Sequence, residues 1–153
     1  MSAFIVPIPQ TEHMQIAIIN GPNLNLLGQR EPGVYGTESF GPFLEKLRQK
    51  YPDISISYFQ SNVEGELINY LQEVGFSSQG VILNPGGYTH TSVALGDAVA
   101  AIGAPVVEVH ISNIAARESF RQLSYVSAKC KGTISGLGLA GYDLALQYLC
   151  LTQ

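Results

Sequence analysis

Along this chain, short apolar runs alternate with stretches in which apolar residues recur every three or four positions. Gln15–Ile19 is an apolar run that breaks off at Asn-Gly-Pro, the pattern of a buried strand entering a turn. Ser39 precedes Phe40, Phe43, Leu44 and Leu47 at helical spacing, and Pro52 closes this helix because proline restricts the residue before it. Ile54–Phe59 carries β-branched residues in alternation and predicts a second strand. Glu64–Val74 places Leu67, Ile68 and Leu71 on one helical face and stops at Gly75. The pattern then predicts a strand at Val81–Leu83, a helix capped by Ser92 and running to about Ile102, and a strand at Val106–Val109. A short helix over Ile114–Arg121, a fifth strand at Thr133–Ile134 and a last helix over about Leu139–Leu151 complete the chain. That last helix is apolar around much of its circumference, which predicts burial, in part against another subunit.

Five strands alternating with helices predict an α/β fold: a flavodoxin-like three-layer sandwich with a five-stranded parallel sheet in the order 2-1-3-4-5. The expected organisation is an N-terminal extension over residues 1–14 and a single catalytic domain over 15–153. Ligands of such sheets bind at the carboxyl ends of the strands, so the loops Asn20–Gly36, Asn84–Thr91 and His110–Arg121 are the candidates for chemistry.

Composition narrows the function classes. With 153 residues and an apolar fraction of 46%, the chain supplies one sizeable core. No apolar run approaches the roughly twenty residues that span a bilayer, and Met1–Gln10 has two prolines and no basic flank, unlike a secretory signal. The expectation is a cytoplasmic protein that engages no membrane. Cys130 and Cys150 are too few for a disulfide framework and lack metal-type spacing, so they read as buried thiols. Charged residues make up 13%, against about 25% in ordinary soluble domains, which suggests surface covered by further copies of the chain, or a surface that is polar but uncharged. A net charge of −4 argues against nucleic acid as partner. Yet Arg30, Arg117 and Arg121 all fall in the candidate loops, which points to a local anion site.

The first loop, NGPNLNLLGQREPGVYG, is far longer than the two to six residues usual for strand–helix connections. Leu24, Leu26 and Leu27 give it material to pack, and Gly28, Gly33 and Gly36 can act as hinges, so it reads as a lid. Arg30 and Tyr35 lie five apart in it. They read either as a surface arginine and a packed tyrosine, or as a base and its activator. Free tyrosine, with a pKa of about 10, is ionised about one part in a thousand at pH 7, and an adjacent guanidinium favours the ionised form. Asn23 in the same loop can orient a water or a developing oxyanion.

The second loop, NPGGYTHTS, holds Asn84 and His90 ahead of a helix start, which favours anions. In EVHISN, Glu108 and His110 are two apart on a strand and therefore share a face, so the carboxylate can fix the imidazole's tautomer and make His110 a general acid. The backbone amides of Ile111 and Ser112 can receive a carboxylate, with Arg117 and Arg121 nearby. The bland alternative for His90 and His110 is ordinary hydrogen-bonded loop structure. Glu108, His110, His90 and Asp97 are eligible metal ligands, but no H-E-x-x-H or comparable spacing is present, and no metal is expected. GLGLAG matches G-x-G-x-x-G, but no strand or ribose-binding acid follows it, so close packing of the last helix explains its glycines better. None of Lys46, Lys50, Lys129 and Lys131 falls on a candidate loop, which argues against imine chemistry.

Taken together, NGPNLNLLGQREPGVYG, NPGGYTHTSVALGDA, EVHISN followed by Arg117 and Arg121, and GLGLAGY resemble the type II 3-dehydroquinate dehydratases, from about Gln15 to the C-terminus. The resemblance implies trans elimination of water from 3-dehydroquinate through an enolate, with no metal or organic cofactor. It implies that Tyr35 is the base, kept ionised by Arg30; that Asn23 holds a water on the enolate; and that His110, supported by Glu108, is the acid. Asn84, His90, Arg121, Ile111 and Ser112 would bind the substrate, and Asp97 would reach a neighbouring subunit's site. The implied assembly is a homododecamer of trimers. Gly96 departs from the arginine that many such sequences carry before that aspartate, which puts the charge network between subunits in question. A flavodoxin-like nucleotide- or flavin-binding module is the alternative that the fold alone permits, although no phosphate loop is present.

Overall fold

All five predicted strands form, and all run parallel in the computed structural model, which describes residues 13–153. In chain order the elements are β1 (Met14–Asn20), a one-turn helix α1 (Pro32–Tyr35), α2 (Phe40–Lys50), β2 (Ile54–Gln60), α3 (Glu64–Val74), β3 (Gly80–Asn84), α4 (Val93–Ala101), β4 (Val106–His110), β5 (Gly132–Ser135) and α5 (Ala140–Leu151). The sheet order is β2-β1-β3-β4-β5, as the alternation of elements predicts. The reading of Met1–Gln10 concerns a segment outside the described residues. Among the described residues no helix is long and apolar enough to cross a membrane.

The three layers follow from strand periodicity. On β1, Ile16 and Ile18 face one way, into a core with Leu44 and Leu47 of α2 and Leu146 and Leu149 of α5. Ala17 and Ile19 face the other, against Leu67 and Leu71 of α3 and Leu95 and Val99 of α4. Both faces of β3 and β4 are buried, which is why these strands lack the polar alternation of β2. Ser92 caps α4 as predicted, its Oγ accepting from the Leu95 amide at 2.9 Å. In the parallel register Asn20 pairs with Asn84, and His110 with Ser135, so the ends of the central strands form one rim.

Three local expectations change. Ile114–Arg121 is not one helix but two 3₁₀ turns, Ile114–Ala116 and Ser119–Gln122, separated by an extended Arg117 at φ −106°. That break turns Arg117 and Arg121 toward the same rim. Gly75 ends α3 without a left-handed conformation; a Cβ there would lie 2.5 Å from the Ile102 side chain, so close approach demands the glycine. Within GLGLAG, Gly141 packs against Val109, whereas Gly136 and Gly138 are needed for positive φ, 89° and 63°. The two cysteines are free and half-buried.

Candidate active site

The long first loop is anchored rather than loose. Leu24 and Leu27 are buried in the β1/α5 core and fix its first half. Its second half turns through left-handed Gly28 and Glu31 into α1, where Pro32 supplies the φ suited to a first helical turn. Tyr35 ends that turn. Arg30 reaches it from within the loop: Nη2 donates to the Tyr35 hydroxyl at 3.4 Å, and the guanidinium carbon lies 4.6 Å from the ring centroid. A second guanidinium arrives from the segment that follows β4. Arg117 Nη1 donates to the same hydroxyl at 3.0 Å and to Ser112 Oγ at 3.1 Å.

These groups line a pocket of about 120 Å³ at the strand ends, which also takes in Asn23, Asn84, His90, His110, Ile111, Ser112 and Arg121. That volume is well under the roughly 300–1,000 Å³ of drug-sized sites and suits one small molecule. Arg30, Arg117 and Arg121 line it and, among the described residues, no carboxylate does, so an acidic protein presents a cationic cavity. The Tyr35 ring and Arg117 also border a more open cleft of about 570 Å³ that runs past Asn113 and Gly136, so Tyr35 stands between the two spaces.

Several side chains hold the lining in place. Glu118 lies 2.7 Å from Arg121 Nε and 3.6 Å from Arg117 Nε, bracing both arginines. Those contacts, Arg121's first, keep its carboxyl below the usual range. His90 Nδ1–H donates to the Leu123 carbonyl at 2.7 Å, which leaves Nε2 as an acceptor. Asn84 Nδ2 donates to the fully buried Tyr142 hydroxyl at 2.9 Å, and Tyr142 donates to Asn20 Oδ1 at 2.7 Å. Burial pushes the Tyr142 hydroxyl far up, so it remains a donor.

Glu108 and His110 share a face of β4, as their spacing predicts. His110 Nε2 stands 3.4 Å from Glu108 Oε1, and both atoms are sealed from solvent. The nitrogen left for a ligand is therefore Nδ1. Burial pushes the Glu108 carboxyl up, but the approach of His110 and hydroxyl donors from Ser127 and Thr133 outweigh it and leave the group below the usual glutamate range.

The structure thus gathers Asn23, Arg30, Tyr35, Asn84, His90, His110, Ile111, Ser112 and Arg121 around one cavity. Glu108 stands behind it and does not line it. Asp97 is exposed on α4 and outside the chain's own pocket. Sequence reasoning placed Arg117 only near an anion site; nothing in a separation of 82 positions signals its bond to Tyr35. The supports Tyr142, Ser127, Thr133 and Glu118 were also invisible to it.

Residues 14–150 match the family described as dehydroquinase class II. The chain belongs to the class II dehydroquinases. A 3-dehydroquinate dehydratase of an Exiguobacterium species is 53% identical over 137 residues, covering 89% of this chain and 94% of that protein. One from Helicobacter acinonychis is 46% identical, covering 87% of this chain and 82% of its own length. The crystal structure of the type II dehydroquinase of Butyrivibrio crossotus superposes with a TM-score of 0.87 at 43% identity, covering 90% of this chain and 98% of that one.

Within this class II dehydroquinase, Gly96 has a steric reason. A Cβ at position 96 would lie 2.1 Å from the Tyr125 carbonyl oxygen. The backbone at Tyr125 occupies the space into which a side chain at 96 would extend.

Proposed function

We propose that the chain is a hydro-lyase that converts 3-dehydroquinate to 3-dehydroshikimate, with Tyr35 as the base and His110 as the acid. The observation that carries this reading is the convergence of Arg30 and Arg117 on the Tyr35 hydroxyl inside a pocket lined by three arginines. The names of the relatives, 3-dehydroquinate dehydratases, agree with the reaction.

Both guanidiniums donate to the Tyr35 hydroxyl oxygen, the atom that acts as the base, while Glu31 lies 3.7 Å from Arg30 and Glu118 3.6 Å from Arg117, neither of them lining the pocket. The phenolate removes a proton from C2, and the electron pair moves into the C3 carbonyl as an enolate. A water held by Asn23 stabilises that enolate oxygen. As the enolate collapses, the C1–O bond breaks and His110 Nδ1 gives its proton to the departing hydroxyl. One proton and one hydroxyl leave as water, so the reaction balances without oxidant or cofactor. Glu108 supports the imidazolium. The Ile111 and Ser112 amides and Arg121 hold the carboxylate, and Asn84 and His90 hold ring hydroxyls.

Asp97, exposed on α4, serves a neighbouring subunit in a homododecamer built of trimers, and the site works in the cytoplasm for either aromatic biosynthesis or quinate breakdown. Incubation with 3-dehydroquinate tests the function: the expected result is growth of conjugated-enone absorbance, undiminished after exhaustive chelation. Tyr35→Phe should bind substrate and fail to turn over. Absence of the enone signal from folded protein would overturn the reading.

A further inference from the structure

Glu108 is the acidic group that the proposed mechanism uses without substrate touching it, and the structure leaves it in an unusual state. Its side chain is completely buried, yet Oε1 has no hydrogen-bond partner. The atom nearest to completing it is His110 Nε2, at 3.4 Å, which also lacks a partner. Among the described residues these are the only two buried side-chain polar atoms so left. Buried polar groups rarely go unpaired.

The other carboxylate oxygen is well supplied. Thr133 Oγ1, on β5, donates to Oε2 at 2.9 Å, and Ser127 Oγ, on the 3₁₀ turn Ser127–Lys129, donates to the same oxygen. Ser127 has one hydroxyl proton and spends it on an oxygen that can only accept, so the 2.8 Å contact between Ser127 and Ser124 must be a donation from Ser124. Ser124 is fixed in turn by the amides of Val126 and Ser127, at 3.1 and 2.9 Å. Oε2 is thereby saturated from one side, and the free lone pairs of Oε1 can face only the imidazole.

We infer that Ser127 and Thr133 are positioning residues for the reaction: they pin Glu108 by Oε2 so that Oε1 is held in reserve for the imidazolium of His110. This rests on the reading of His110 as acid. A carboxylate with both oxygens taken by other donors would leave His110 Nε2–H without an acceptor. One occupied at a single oxygen keeps Oε1 for Nε2–H, and that hydrogen bond strengthens as the ring becomes an imidazolium. The same two hydroxyls oppose the effect of burial on Glu108 and keep it ionised. The groups facing Glu108 are His110 on β4, Thr133 on β5, Ser127 on the turn, and the Cys130 thiol, which feels its charge; no lysine or arginine takes part.

The test uses the full chain with Ser127→Ala, Thr133→Val and both together. Ser127 is half-buried and Thr133 exposed in the single chain, so neither change opens a core. Steady-state kinetics should show kcat down about tenfold with KM within about twofold. The pH at which the Glu108 carboxyl protonates, followed by carboxyl ¹³C resonance, should rise by about one unit, and the acid arm of the kcat profile with it. Thr133→Ser, which keeps the hydroxyl, should restore both. A folded double variant with unchanged kcat and unchanged Glu108 protonation overturns the inference, as does Thr133→Ser behaving like Thr133→Val. Should Ser127→Ala fail to fold, the Thr133 pair decides alone. His110→Asn separates the two levels: if it turns over normally, the acid assignment itself fails, whatever the hydroxyl variants do.

Discussion

Arg117 Nη1 donates to the Tyr35 hydroxyl at 3.0 Å, bridging the third candidate loop and the lid. This contact is shorter than the 3.4 Å from Arg30, and Arg117 is the better held of the two, by Ser112 and Glu118. It makes Arg117 the tighter partner of the proposed base.

The first prediction concerns that ranking. Arg117→Met should lower kcat by about a hundredfold, the scale of a lost preorganised donor, and Arg30→Met should lower it less. Steady-state kinetics on both variants decides it; a larger loss at Arg30 would reverse the assignment.

Tyr142→Phe removes the hydroxyl that joins Asn20 and Asn84 beneath the pocket. Two buried amide groups lose a partner, so unfolding free energy should fall by about 2–4 kcal/mol. Because Asn84 lines the pocket, KM should rise more than kcat falls. Denaturant titration and kinetics on one preparation check both.

Gly96→Ala places a methyl against the Tyr125 carbonyl oxygen. Backbone must shift, and a loss of about 1–3 kcal/mol is expected from overpacking. Thermal melting of the variant beside an exposed control on the same helix, Ala100→Ser, measures it.

Burial and the charge of Glu108 push the Cys130 thiol up to about 12. The thiol should therefore resist alkylation at pH 8, since the thiolate is the reacting form. In Glu108→Gln the charge is gone while burial persists, so alkylation should quicken modestly. Mass spectrometry of reagent-treated protein reads the rate; equal rates in both proteins would show that Glu108 is not ionised.

Asp143 ties α5 to the end of α2, accepting from Lys50 at 2.6 Å and from the Tyr51 hydroxyl at 2.5 Å. Burial raises its pKa, but Lys50 and Tyr51 outweigh that and hold it below the usual aspartate range. A group depressed in the folded state contributes stability above its unfolded pKa, near 4, and that contribution disappears as pH falls through the lower folded value. Asp143→Asn should flatten the acid-side stability curve below about pH 4 while Glu108 continues to titrate. Denaturation midpoints across that range give the comparison.

Much of this was legible in the chain because the relevant signals are local. Strand and helix periods placed β1 to β5 and the principal helices within a residue or two, and period-two geometry put Glu108 and His110 on one face. Arg30 and Tyr35 could be paired on paper because five residues and one helical turn link them. The helix expected over Ile114–Arg121 failed where the reach of Arg117 into the pocket, a tertiary requirement, outranked helical propensity.

By itself the sequence determined the alternation of elements, the three strand-end loops and the charge of the cavity they enclose. Only the tertiary structure decided which arginine comes nearest Tyr35, which hydroxyls saturate one oxygen of Glu108, and what fills the space beside Gly96. Those relations join residues on different strands and loops, and their separations are set by sheet order and packing, which no local period encodes. The Arg117–Tyr35 contact spans 82 positions and exists because β4 and β1 deliver their loops to the same rim.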